Sequence, residues 1–333
     1  MKILYAIQGT GNGHVSRARE IVPILMDYGQ LDLMLSGTQS DVLLDQKVKY
    51  NKYGFSYAIG KKGGIDILDT IKIFRPATLL KDILKFPVED YDLIINDFEP
   101  VTAWACKVKK HPCVSFGHQS SFISPKVPRA PKRDVVGELV FKHYAPADQY
   151  IGLHFEHYDD FVYTPVIRQE IRQTPVDNHG HITIYLPSYD DNYLTKFFLQ
   201  FPDVPFHLFT RQTKTGYRVE NVFVRPINND EYIKSLASSC GLLTGAGFEG
   251  PAEAMFFGKK VLAIPMVNQY EQLCNAEALK QLGVKVLDKI DANFKIHLGE
   301  WLNNPHIIPI NYPDNARDII EAIIKMQQKK KAA

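Results

Sequence analysis

The stretch GLLTGAGFEGPAEAMFFGKKVLAIPMVNQYEQLCNA, residues 241–276, decides how the chain is read. A short apolar run is followed by a turn holding Gly245, Ala246, Gly247 and Gly250. Apolar residues then recur at helical spacing, with Pro251 in the opening turn, where its missing N–H costs nothing. Strand, glycine turn and helix in that order put backbone N–H groups at the positive end of a helix, which suits an anion. No Lys-Ser/Thr pair follows the glycines, so the turn is not that of a nucleoside triphosphatase and fits a diphosphate held by backbone donors. Glu253 follows about one turn into the helix, flanked by Ala252, Ala254 and Met255, where a carboxylate can accept both hydroxyls of a ribose. A further strand at 260–264 leads into a polar helix start, where Glu271 and Gln272 are spaced to read adjacent sugar hydroxyls; Asn275 lies one turn on.

The same logic opens the chain. An apolar run at 2–8 ends in Gly9-Thr10-Gly11-Asn12-Gly13-His14, and a helix is expected over 16–28. A dinucleotide fingerprint would require glycine where His14 stands and an acidic residue closing the second strand, where this chain has Ser36 and Gly37. Nicotinamide binding is therefore not expected; the turn either faces a ligand or serves only tight packing. His14 would project from the top of the sheet, and histidine is the side chain that exchanges protons near neutral pH. Asp97, closing an expected strand at 93–96, is placed to hold that imidazole or, alternatively, to cap the following helix.

Beyond these motifs, strands are expected at 31–36, 113–116, 182–186 and 206–209, with helices at 101–109, 230–238, 250–257 and 269–281. The βα series thus occurs twice. The segment 163–180 between them is rich in Pro, Asn, Asp and charge. The reading is an α/β protein of two parallel-sheet domains facing a cleft: 1–164, a linker at 165–180, 181–313, and a helix at 314–333 packing back on the first domain. With 333 residues, two domains are the default. Lys and Arg total 39 against 37 Asp and Glu, so no global field recruits nucleic acid. The four cysteines form no CxxC pair and read as reduced, structural thiols. The first residues read as a strand rather than a signal peptide, and no run approaches the ~18 apolar residues of a spanning helix. The expected location is cytoplasmic, at most touching the inner face of a membrane. The segment 125–133 carries Lys126, Arg129, Lys132 and Arg133 among three prolines and reads as a mobile basic loop.

These motifs resemble the GT-B glycosyltransferases over nearly the whole chain, nearest the group holding the peptidoglycan N-acetylglucosaminyltransferase and the UDP-glycosyltransferases. GTGNGHVSRA (9–18) is similar to that group's first glycine turn and 244–276 to its donor signature. The resemblance implies two Rossmann-like domains and a nucleotide-sugar donor, UDP-linked, as co-substrate. It places Gly11, Asn12, Gly13, Gly245, Ala246, Gly247 and Asn275 at the donor, Glu253 at the ribose, Glu271 and Gln272 at the donor sugar and Ile227 at the base. SFGHQSSF (115–122) is similar to the acceptor-side segment, which implicates His118 and Gln119 and makes His118 a rival base to His14. TPVIRQE (164–170) resembles the hinge, whereas LPSYDDNYL (186–194) departs from the second glycine turn that relatives carry, leaving Ser188 as its only conservative substitute. The activity expected is inverting, metal-independent transfer to a glycan, lipid-linked or small-molecule hydroxyl; Asp190-Asp191 lacks the spacing of a metal-binding DxD pair. The rivals are a non-hydrolysing UDP-sugar 2-epimerase and a noncatalytic nucleotide-sugar-binding protein.

Overall fold

The computed structural model describes residues 1–9, 12–37, 44, 46–54, 58–59, 65–66, 75–308 and 310–332. The first half runs β1 (Lys2–Gln8), α1 (Asn12–Met26), β2 (Gln30–Ser36), β3 (Val48–Lys52), the short pair β4 (Ala58–Ile59) and β5 (Ile65–Asp66), and α2 (Pro76–Lys85). It continues with β6 (Leu93–Asp97), α3 (Pro100–Lys109), β7 (Val114–Gly117), α4 (His118–Ser121), α5 (Val135–His143), β8 (Gln149–Leu153) and β9 (Val162–Tyr163). After α6 (Gln169–Arg172) the second half runs β10 (Ile182–Tyr185), α7 (Asp191–Phe198), β11 (Phe206–Thr210), β12 (Tyr217–Val219), β13 (Val222–Pro226) and α8 (Asn229–Ala237). Last come β14 (Gly241–Thr244), α9 (Glu249–Phe256), β15 (Lys260–Ala263), α10 (Tyr270–Gln281), β16 (Lys285–Val286), α11 (Phe294–Asn303) and α12 (Ala316–Ala332).

Two seven-stranded sheets result, ordered β3-β2-β1-β6-β7-β8-β9 and β12-β13-β11-β10-β14-β15-β16. The first is parallel throughout, and in the second only the β12–β13 pair is antiparallel. Strand order reverses between β1 and β6 and again between β10 and β14, so each sheet has a switch point where ligands of open α/β sheets bind. Alternation along β1 builds both layers of the first half. Ile3, Tyr5 and Ile7 join α1 and α12, while Leu4 and Ala6 join α2 and α3. α12 buries Ile319, Ile320, Ile323 and Ile324, and ties to the first half through Arg317–Asp27 and Gln327 to the Asp92 carbonyl.

α1 begins at Asn12 rather than near residue 16, although Asn and Gly are poor helix formers. Burial of Val15, Ala18, Ile21, Val22 and Leu25 overrides propensity and puts His14 and Arg17 one turn apart on one helix face. β8 and β13 were not foreseen. Pro226 ends β13, and Gly152 interrupts the pattern of β8 because a Cβ there would meet the Ser121 Cα at 2.6 Å.

Candidate active site

The end of β1, the first turn of α1 and the end of β6 converge at the first switch point. His14 Nδ1 stands 2.7 Å from Asp97 Oδ1. The following Phe98 has φ 55°, and this left-handed residue separates two roles: Asp97 stays at the strand end, while Glu99 caps α3 by accepting from Val101 N and Thr102 N, each at 2.7 Å. The capping alternative for Asp97 is thereby answered.

Arg17, unforeseen in the sequence reading, joins the pair. Its Nη2 donates to both Asp97 oxygens at 2.8 Å and lies 3.2 Å from His14 Nδ1; Nε reaches Asp97 Oδ2 at 3.2 Å. Arg17 is 2% exposed and Asp97 0%, so these charges are stable only as a set. Burial pushes the Asp97 carboxyl up, but Arg17 and His14 outweigh it and hold it below the usual carboxylate range. An ionised Asp97 accepts the Nδ1 proton and leaves Nε2 of His14 as the basic nitrogen. Arg17 Nη1 also ion-pairs with Glu249, the first residue of α9 in the opposite half. Two glycines make room for this cluster. A Cβ on Gly13 would lie 2.9 Å from Glu249 Oε2, and one on Gly117, at φ 146°, 2.6 Å from Asp97 Oδ1.

Beside it lies a second junction. His118 Nδ1 is 2.9 Å from the Leu153 carbonyl, and its Nε2 is 2.9 Å from Asn275 Oδ1. Its ring stacks on Phe248 at 4.1 Å, and burial lowers its pKa. Both nitrogens are engaged, which leaves none facing a substrate. Gln119 donates to Glu271 Oε2 at 2.9 Å, Asn275 is fully buried with Nδ2 on the Ala246 carbonyl, and Gln272 folds back to accept from Met266 N.

The turn after β14 is open by contrast. Phe248 precedes α9 with no side-chain cap, which leaves amides of its first turn unsatisfied by any cap, and a Cβ on Gly247 would meet nothing within 4 Å. Gly245 faces Gln272 Oε1. Ile227 is partly exposed between β13 and α8, its N–H on the Thr210 carbonyl. Glu253, expected to hold a ribose, is 5% exposed, with Oε1 accepting from Nε and Nη2 of Arg168, the residue before α6, each at 2.8 Å. Asp190 caps α7 and Asp191 is buried, so the two do not form an exposed pair. Gly11 and the Asn12 side chain lie outside the described residues.

The basic segment at 125–133 is packed rather than mobile. Val127 and Ala130 are buried, Ala130 N reaches Cys274 Sγ at 3.4 Å, Lys126 pairs with Asp159 and Arg129 with Glu138. Lys132 and Arg133 are exposed. Just before α12, Asp314 accepts from the Gln169 side chain and Asn315 donates to the Thr164 hydroxyl.

The profile of glycosyl transferase family 1 matches residues 1–304. The chain belongs to that family. Solved glycosyltransferases share its two-sheet GT-B fold at low identity. Arabidopsis thaliana UGT89C1 complexed with UDP is 13% identical with a TM-score of 0.61, covering 98% of this chain and 94% of that one. Phytolacca americana UGT2 complexed with UDP-2fluoro-glucose and pterostilbene is 14% identical with a TM-score of 0.60, covering 98% and 94%. Acinetobacter baumannii MurG is 14% identical with a TM-score of 0.57, covering 98% and 99%. No curated protein sequence matches significantly. The residues that join these contacts without having been foreseen from the sequence are Arg17, Gly117, Glu249 and Arg168. Arg17 alone carried a local signal, its three-residue spacing from His14.

Proposed function

We propose that this glycosyltransferase moves a sugar from a UDP-sugar to an acceptor hydroxyl with inversion and without a metal. The first half, 1–164, takes the acceptor and the second, 181–313, the donor, about the linker at 165–180. The observation that carries this is the 2.7 Å His14–Asp97 pair opposite the uncapped start of α9. The acceptor oxygen forms the new bond at the anomeric carbon, its proton passes to His14 Nε2, and the bond to the diphosphate breaks with its electron pair leaving on phosphate. Amides of 245–250 and the helix dipole meet that charge. His118, with both nitrogens engaged, supports the acceptor wall rather than serving as base. Glu253 and Ile227 contact the nucleoside, and Glu271 and Gln272 the donor sugar.

Calorimetry with a nucleotide and nucleotide-sugar panel on wild type and Glu253→Ala tests the donor. UDP-sugar binding lost in the variant supports the reading, and no binding of any nucleotide refutes it. Product NMR separates transfer from 2-epimerisation, and an intact donor after incubation with a full acceptor panel would favour a noncatalytic binder. Activity abolished by EDTA and restored by Mn²⁺ would refute metal independence.

A lipid-linked acceptor at a membrane face is favoured by α5, which is amphipathic inside out. Its Glu138 turns inward to Arg129 and the Tyr270 hydroxyl, while Val135, Val136 and Leu139 are 72%, 68% and 52% exposed. Exposed Lys132, Arg133, Lys142 and His143 flank that face and complement anionic headgroups. Among the described residues no helix is long and apolar enough to cross a membrane. Flotation with phosphatidylglycerol vesicles should carry wild type but not Leu139→Glu; association that persists in the variant, or self-association without vesicles, refutes this contact.

A further inference from the structure

We infer that Glu249 is a positioning residue that makes His14 a competent base only when the two halves of the cleft meet. The inference rests on the reading of His14 as the base. Within the first half alone, Arg17 places a full positive charge 3.2 Å from the nitrogen of a ring that must itself become positive, and it occupies both oxygens of the Asp97 carboxylate that should stabilise that ring. Such an arrangement opposes proton uptake. Glu249 changes the balance from outside: carried by α9 of the opposite half, it pairs with Arg17 Nη1 and offsets its charge. Arg17 contributes one positive charge, Asp97 and Glu249 one negative charge each, so the set is short of neutrality by one positive charge, which His14 supplies on taking the acceptor proton. Without Glu249 the set is already neutral and the ring has no charge to complete.

The contact is built in rather than incidental. Gly13 has no side chain where a Cβ would lie 2.9 Å from Glu249 Oε2, and Arg17, at 2% exposure, has no solvent to replace a lost partner. The Glu249 charge also acts on His118, raising its pKa against the larger lowering by burial, and on Glu253, raising its pKa, so the test below follows the His14 ring itself. Tyr5 of β1 donates to Asp97 Oδ2 at 3.3 Å; His118 of α4 and Glu271 of α10 are held by Asn275 and Gln119. Arg168 and Glu253 are paired with each other at the linker. A carboxylate beside an amide turn suited to diphosphate also repels that ligand, so the donor itself gains nothing from Glu249.

The experiment compares pH profiles of kcat and kcat/KM for wild type, Glu249→Gln, Glu249→Asp and the charge-balanced Arg17→Gln/Glu249→Gln. In Glu249→Gln the acid limb should move down by about one pH unit, kcat should fall roughly tenfold and donor KM should not rise. Glu249→Asp should keep the wild-type limb, and the double variant, with the original net charge, should restore it. A limb that stays put in Glu249→Gln, or a raised donor KM with unchanged kcat, overturns the inference. The protonation of the His14 ring, followed by nitrogen NMR in the donor-free protein, should move in the same direction without turnover. That movement in a protein that transfers no sugar would leave the ion-pair device standing and sink the glycosyl-transfer role; active enzyme without it would do the reverse.

Discussion

The two glycine turns of this glycosyltransferase have the same strand–turn–helix grammar and opposite interiors. At the first, side chains fill the space: Gly13 and Gly117 are glycines because Glu249 and Asp97 press against them, and the helix start carries His14 and Arg17. At the second the space is empty around Gly247, and the amides of the helix start meet no side-chain cap, the Glu249 carboxylate being turned to Arg17. One sheet end gathers buried, paired charges, while the other leaves open backbone donors. A glycine in such a turn therefore has two meanings, and the neighbour of its missing Cβ tells them apart.

The largest effect should come from the filled turn. His14→Ala removes the proposed proton acceptor and should lower kcat by roughly a thousandfold while nucleotide affinity, measured by calorimetry, stays within about twofold. A variant that instead loses nucleotide binding with kcat intact would move His14 to the donor site and dissolve the contrast. Next is Gly117→Ala. The φ of 146° and the 2.6 Å approach to Asp97 Oδ1 both oppose a methyl group, so the urea midpoint should drop by the equivalent of about 1–3 kcal/mol, with activity falling alongside.

Gly247→Ala is the counterpart in the open turn. With nothing within 4 Å of the new methyl, stability should change by less than about 0.5 kcal/mol. Donor affinity should nonetheless fall about tenfold if the methyl stands, as proposed, where the donor phosphate approaches the backbone. Lost stability with unaltered affinity would make Gly247 a packing glycine like Gly117.

Local grammar explains what could be read in advance. β1 and β14 are runs buried on both faces, bounded by glycine turns, and the sheets they imply lie where the pattern put them. His14 and Asp97 were legible because strand ends in open α/β sheets converge on one crevice. Glu249 was not, since its partner Arg17 lies 232 positions away and no periodicity encodes that pairing. α5 was not foreseen, and its facing departs from the usual rule: an apolar stripe normally faces the core, but here Phe141 and the Glu138–Tyr270 bond fix the opposite face inward. The segment at 125–133 looked mobile by composition, yet Ala130 is clamped by Cys274 of the other half.

The smallest predicted effect asks whether the two halves also differ in their response to acid. In the second half His181 and His207 stack at 3.9 Å and share Ser235, which meets His181 Nε2 through its carbonyl and His207 Nδ1 through its hydroxyl. Burial, then the neighbouring His181 and Arg225, push the His207 imidazole down to about 3, and burial likewise lowers His181. The fold thus keeps both rings neutral, whereas in the unfolded chain they take up protons below about pH 6.5. Their contribution is fully present above that value and declines as pH falls from there toward 3, because the unfolded state binds the extra protons. The buried His118 and His154 of the first half are also held down and give the same sign. His207→Phe, which keeps the stack without the titration, should therefore shorten the fall in urea midpoint between pH 7.5 and 5.5 without removing it. An unchanged fall would place the acid sensitivity in the first half, around His118 and His154, and an abolished one would place it wholly in the second.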